Sequence, residues 1–364
     1  MQKLGRACLV LAAGLLSGLA LVASAAGTTA THGLKVRHLQ VPVAALAIDG
    51  SRIAYDASAK LVTKTHATNK VLVWDVRTGK TVKVSGAKTA VSDGVGGDGV
   101  FQLAIAGPRV AWLVNEGGNL ENEDYLFTSS VTSPKERKVA SALRTGESCA
   151  PGRVASHCAG PWLGGLVGSG NSIALNRWTT DSSGAVTAGS LDVLSGSHLE
   201  SIATGADTVL ATAADHGRIV ALRSDGAVAL YSSTGELLRT VTPSSARAVA
   251  LNKHALVVLT KTRTLELYYA PSGSSSRTCS VHGTGTPQNL GVQGDIAIYS
   301  VGDSVHAQDL GSCKDRVIGQ LPNRIAFARI DSAGVVYAAN GTRKAFGTST
   351  LVFVPLARLK AALG

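Results

Sequence analysis

The sequence predicts an all-β chain folded as a seven-bladed β-propeller of four-stranded antiparallel blades. Three observations carry this expectation. A strand–turn–strand unit recurs seven times, its copies are spaced by roughly one blade, and the composition suits short strands joined by tight turns. Of the 364 residues, 45% are hydrophobic, 16% are charged and 41 are glycine. Such apolar content with so little charge excludes a disordered chain. Glycine without a three-residue period, and the lack of sustained heptads, exclude collagen-like and coiled-coil chains.

Residues 1–26 read as a cleavable signal peptide. Lys3 and Arg6 form a positive n-region, an apolar run extends from Ala7 to Val22, and Ala23, Ser24 and Ala25 supply the small residues of a cleavage site. The run is about 16 residues, short of the roughly 20 that span a bilayer. No later segment is long enough either. The expectation is therefore a secreted, periplasmic or cell-envelope protein with no stable membrane insertion, whose residues 27–364 form a single propeller domain.

The blades follow in order. The first copy occupies 46–56 and 71–85. The next three are 103–113 with 125–131, 165–176 with 190–203, and 210–223 with 227–242. The last three are 248–260 with 265–281, 290–301 with 305–319, and 327–339 with 351–355. The centres of the second strands, Ile53, Val110, Ile173, Ile219, Leu256, Ile296 and Val335, are separated by 57, 63, 46, 37, 40 and 39 residues. That is the period of propeller blades. A β-sandwich also has short strands and turns, but it does not explain seven copies of one unit; six or eight blades stay open on such uneven spacing. The first two intervals are long because one spans the glycine-rich stretch 92–100 and the other a cysteine-bracketed loop, both read as insertions at blade edges. Blade seven lacks a fourth strand, since its tail 356–363 reads as helix. The strand-like segment 33–41 is expected to pair with 350–355 and close the ring, leaving no open sheet edge.

The run Val71-Leu72-Val73-Trp74-Asp75-Val76-Arg77-Thr78-Gly79-Lys80 ends a strand in Asp and Thr-Gly-Lys, with weaker echoes at Leu230–Glu236 and Leu191–Gly196. In these residues the chain resembles bacterial secreted β-propellers of the WD40-like and PQQ-like blade type, in particular exported members without an assigned activity. The resemblance covers essentially the whole of 27–364. It implies a blade architecture and no particular chemistry.

Once the signal peptide leaves, Cys149, Cys158, Cys279 and Cys313 remain. An even count in an oxidising compartment favours two disulfides in one of three connectivities. The shortest loop closure joins Cys149 to Cys158, which leaves Cys279 with Cys313 at the outer ends of consecutive repeats. No C-x-x-C occurs, which argues against zinc.

Motifs for catalysis are missing: there is no G-x-S-x-G, no phosphate loop, and the nine histidines are scattered almost one per blade without metal-binding spacing. The histidines read as solvated turn residues, and no catalytic or metal-ligating residue is assigned. The most unusual cluster is a candidate acidic binding loop holding Glu116, Glu121, Glu123 and Asp124, placed between the second and third strands of blade two. Oxygen ligands on a glycine-bearing loop suit calcium, although the spacing is not that of an EF-hand and a solvated polar loop is the plainer reading. The formal charge of +11 loses Lys3 and Arg6 with the signal peptide and becomes +9. Such a surplus outside the cytoplasm suits an anionic envelope polymer or a protein partner. Nucleic acid is excluded, because the basic residues are dispersed, with 135–138 the densest group, and are not interleaved with aromatics. Trp74 and Trp112 read as core, whereas Trp178, beside Arg177 at a strand end, reads as an exposed sugar-stacking candidate.

These features predict an exported, monomeric, non-catalytic binding or scaffold protein. The alternative is a propeller enzyme of lactonase, lyase or hydrolase type that draws one residue per blade to the axis. Carboxylates or histidines converging on the axial funnel would favour the enzyme; Ser, Thr, Ala and Gly there would favour the binding module.

Overall fold

Short aliphatic and β-branched runs, cut by glycine-bearing turns, set the local structure. In several blades the first turn is two residues long with a left-handed glycine, as at Gly50 (φ 55°) and Gly107 (φ 56°), the geometry whose twist matches flanking strands. A computed structural model describes residues 33–57, 69–86, 99–117, 120–146, 149, 158–205, 209–243, 245–269, 275, 277–341 and 348–364. The expected signal peptide and most of the glycine-rich stretch 92–100 lie outside these residues.

The described residues from Leu34 onward form seven four-stranded antiparallel sheets and one short helix. The first strands of the sheets are β2 (Leu46–Asp49), β6 (Gly99–Ala106), β10 (Gly160–Ser169), β14 (Val209–Asp215), β18 (Ala246–Leu251), β22 (Gln288–Gln293) and β26 (Ile325–Asp331). Each of these inner strands touches the next, and β26 returns to β2, so the sheets close into a ring. All seven second-strand centres expected from the sequence fall on second strands of the sheets.

Burial explains the apolar runs. The second strands of blades five and six, β19 (Ala255–Thr260) and β23 (Ile296–Val301), are buried along their whole length, because neighbouring sheets cover both faces. Between blades one and two, Ala54, Val71 and Val73 pack against Val110, Trp112 and Val114. The outermost strands are mostly exposed.

Ring closure is as expected. The strand β1 (Lys35–Leu39) pairs antiparallel with β28 (Ser349–Pro355), from Lys35 opposite Phe353 to Leu39 opposite Ser349. It also grips blade one: Lys35 donates to the Val76 carbonyl, and Arg37 donates to Thr81 Oγ1 at 2.6 Å and the Tyr55 hydroxyl at 3.1 Å. The tail forms α1 (Leu356–Leu363), which buries Leu359 and Leu363 in the cluster shared by the last two blades.

Both disulfides form in the shortest-closure arrangement. Cys149 and Cys158, with Cα atoms 5.6 Å apart, lie on the connection from blade two to blade three. Cys279, on the outer strand β21 (Arg277–Ser280), joins Cys313 of blade six at a Cα distance of 5.4 Å and ties two adjacent blades at the rim. The long interval between the second and third copies has a second cause besides the cysteine loop. Strands in blades two and three reach ten residues, against six in blade six.

Candidate functional site

The inner strands enclose an axial cavity of about 350 Å³, lined by all seven of them. Pleating sends alternate residues of each inner strand toward one neighbouring blade or the other, Ala47 toward blade two and Ile48 toward blade seven, and residues of both kinds line the cavity along the strands' inner edges. Counting two residues back from the residue that closes each inner turn, which in blade five is Asn252 with its N–H on the Ala255 carbonyl, gives one layer of the wall: Ala47, Ala104, Val167, Ala213, Ala250, Gly291 and Arg329. Six of these are small or aliphatic and the seventh is an arginine. Across the cavity wall, the polar side chains are Thr212, Asn289 and Arg329, with no carboxylate or histidine among the lining residues.

Arg329 is held by blade six. Its Nη1 donates to Asn289 Oδ1 at 3.2 Å and to the Ala328 carbonyl at 2.8 Å. Asn289 sits in the left-handed region (φ 57°) where the pairing of β22 with its neighbour shifts register between Gln288 and Gly291. A bulge of this kind re-aims a side chain. Asn289 Nδ2 is in turn fixed by Ser300 Oγ at 2.8 Å. Burial pulls the Arg329 pKa below the usual arginine value, though a guanidinium stays charged. Thr212 is committed to the Gly165 carbonyl.

One mouth of the channel carries three carboxylates at the closing positions of the inner turns: Asp215, which accepts from Ser169 Oγ at 3.2 Å and meets His216 Nδ1 at 2.7 Å, and the pair Asp49 and Asp331. Burial, and then the negative charge of Asp331, raise the Asp49 pKa above its ordinary value. All four oxygens of the pair accept backbone N–H groups: Asp49 from Gly107 and Gly170, Asp331 from Gly50 and Ser332. The contacts run from blade seven to blade one and from blade one to blades two and three, so the pair staples the inner turns. Asn252 does the same further round, donating to the Gly294 carbonyl at 2.6 Å.

The acidic cluster is not a loop. Asn115, Glu116 and Gly117 end β7 (Arg109–Gly117), and Glu121–Asp124 begin β8 (Glu121–Ser130), with Glu116 opposite Glu123 and Asn115 opposite Asp124. The alternating pattern extends the hairpin because one face is buried. Asp124 is fully buried and accepts from Arg144 Nη1 and Nη2, from Asn115 Nδ2 at 2.9 Å and from the Leu163 amide at 3.4 Å. Glu123 accepts from the Tyr125 hydroxyl at 2.7 Å; burial and these carboxylates push the tyrosine pKa up. Glu121 is exposed at the hairpin end. The four acidic residues are thus split between a buried ion pair (Asp124), the Tyr125 hydroxyl (Glu123 and Glu116) and the exposed hairpin end (Glu121). Among the described residues no three His, Cys, Asp or Glu side chains converge as a metal site would need.

Trp178 is not an exposed platform. It stacks on Trp162 at 5.8 Å with an interplanar angle of 2°, and Arg144 lies 4.0 Å from the Trp162 ring. Trp74 and Trp112 are core residues. Of the histidines, His306 departs from the solvated reading. It is buried, stacks on Tyr299 at 5.1 Å and bonds Asp315 Oδ2 through Nδ1 at 2.8 Å.

Arg329 and Asn289 escaped the sequence reading. A signal was present: aligned on their turns, Leu46-Ala47-Ile48-Asp49 and Ala328-Arg329-Ile330-Asp331 differ at two positions, one of which puts an arginine in the small-residue place of Ala47. Only the closed ring tells that this position lines the axial cavity.

The geometry is that of a seven-bladed β-propeller with a narrow axial channel. No protein-family model matches the chain, and no curated protein matches it. Among solved structures it is similar to the computationally designed Ika8 protein (crystal packing No. 1 in P63), at 15% identity and a TM-score of 0.47, over 86% of this chain and 97% of that one. No helix among the described residues is long and apolar enough to cross a membrane.

Proposed function

We propose that this chain is an exported, monomeric β-propeller of the cell envelope or extracellular space that binds or scaffolds a partner without catalysing a reaction. The observation that carries the reading is the channel wall. Six of seven positions in one layer of the wall are Ala, Val or Gly, no lining residue is a carboxylate or histidine, and of the three carboxylates at the mouth Asp49 and Asp331 are taken by backbone amides and Asp215 by Ser169 and His216. General acid–base catalysis needs a titratable group within hydrogen-bond reach of the reacting atom, and the wall supplies none. The reading includes no resident cofactor. Asp124 and Glu123 already have internal partners, so a melting temperature unchanged by EDTA or added calcium is the expected result.

The partner that the charge favours is an anionic envelope polymer, since the chain keeps a net charge of +9 after losing two of its basic residues. The test is to express the full chain with a C-terminal tag and determine the mature N-terminus by mass spectrometry. The protein is then co-sedimented with purified anionic wall polymer. A mature start at Gly27 and salt-sensitive co-sedimentation are expected. Retention of residues 1–26 in the cytosol, or turnover of lactone or polysaccharide substrates, would overturn the reading.

A further inference from the structure

A ring of seven equivalent positions has six small apolar occupants and one arginine. The arginine is half-buried, and among the described residues no carboxylate pairs with it, its protein contacts being Asn289 and its own strand's Ala328 carbonyl. Both protein acceptors take the same nitrogen, Nη1. The Nε–Nη2 edge, the edge that meets a carboxylate with two parallel hydrogen bonds, has no acceptor among the described residues. Asn289 is fixed in a left-handed conformation at a register shift and anchored to Ser300, so the guanidinium is held from behind. Left-handed non-glycine backbone of this kind persists where surrounding structure over-determines it. The remaining wall offers Ala47, Ala104, Val167, Ala213 and Ala250, apolar surface suited to a hydrocarbon body.

We infer that the axial channel is a binding site for a small organic carboxylate, whose anionic group takes the free edge of Arg329 and whose apolar body lies against the aliphatic ring. The inference deepens the binding-module reading and rests on it. A cavity of about 350 Å³ matches a small ligand.

The test uses the full mature chain with hexanoate, hexanamide of the same shape, and sodium sulfate. Isothermal titration and thermal melting should show saturable binding and a raised Tm with hexanoate, and neither with hexanamide. Arg329→Gln should weaken hexanoate binding roughly ten- to a hundredfold, the worth of a charge-assisted pair, and Arg329→Lys should retain part of it. A titration of the unaltered protein labelled with 15N at arginine Nε gives a readout independent of whether the variants fold, and one Nε resonance should shift with hexanoate. No shift, equal binding of hexanamide, or a response to sulfate without one to hexanoate would overturn the carboxylate site. Hexanoate is recovered and analysed afterwards. Recovery unchanged accords with the site as a binding site, whereas its chemical conversion would refute the non-catalytic reading and leave the anion contact standing.

Discussion

Removing one partner of the buried pair between Asp124 and Arg144 should be among the most damaging single changes in the molecule. Both side chains have no exposure. Arg144→Met deletes both guanidinium contacts to Asp124 and the Nε bond to the Cys149 carbonyl at 2.9 Å. It leaves a carboxylate facing only Asn115 and the Leu163 amide. Stranding a buried charge costs about 3–5 kcal/mol. An unfolding entropy of about 2.1 cal/mol/K per residue, over roughly 330 residues, gives about 0.7 kcal/mol per degree, so Tm should fall by about 4–7 °C. Asp124→Asn keeps an acceptor for Asn115 and Leu163 but strands the arginine, and should cost a similar amount. In Arg144→Met combined with Asp124→Asn no charge remains, so the double variant should cost clearly less than the sum, with a coupling of about 2–4 kcal/mol. The assay is thermal and urea unfolding followed by circular dichroism, with both disulfides intact. Single variants within about 0.5 kcal/mol of the parent, the range of ordinary surface changes, would refute the reasoning and return Asp124 to the pool of ligand-binding carboxylates.

Deleting residues 33–41 removes the five-pair ladder of β1 with the contacts of Lys35 and Arg37; at about 0.5–1.5 kcal/mol per hydrogen bond this should lower Tm by several degrees, and an unchanged melt would refute the closure. Loop-closure entropy predicts that Cys279→Ser with Cys313→Ser costs about 4 kcal/mol and Cys149→Ser with Cys158→Ser about 2.6 kcal/mol, because the loops span 34 and 9 residues; chemical denaturation should rank them so. Burial by itself would raise the Asp315 carboxyl, but the bonds from His306 and Tyr299 outweigh it and hold the group below its ordinary 3.8. Stability from a depressed carboxylate is present above the unfolded value and lost as pH falls through the folded one. The Tm gap between the parent and Asp315→Asn should therefore narrow below about pH 4, and a gap constant from pH 7 to pH 2.5 would count against the network.

The blades were legible because their signal is local. Strand patterns, turns and period each depend on a few neighbouring residues, and the second-strand centres fell where periodicity placed them. Strand β1 was legible too, since the last blade's tail, 356–363, reads as helix and leaves the fourth-strand place vacant. The acidic hairpin was not. Read along the chain, 115–124 is a polar stretch; in the fold its described ends, 115–117 and 121–124, pair as strands, and Arg144, twenty residues beyond Asp124, supplies the counter-charge in their buried layer.

Composition and local pattern by themselves determined an all-β chain of propeller repeats and favoured seven blades and the economical disulfide pairing, since short-range sterics and loop entropy depend on sequence distance; the fold fixed the blade count and the connectivity. Which residues face the axis was decided by tertiary structure alone. Arg329, Asn289 and Ala47 are far apart in the chain, and only ring closure with a particular register at each bulge sets them around one channel. The same closure turned Asp49 and Asp331 from turn residues into staples between blades. Charge met across a closed ring depends on geometry that no stretch of sequence contains.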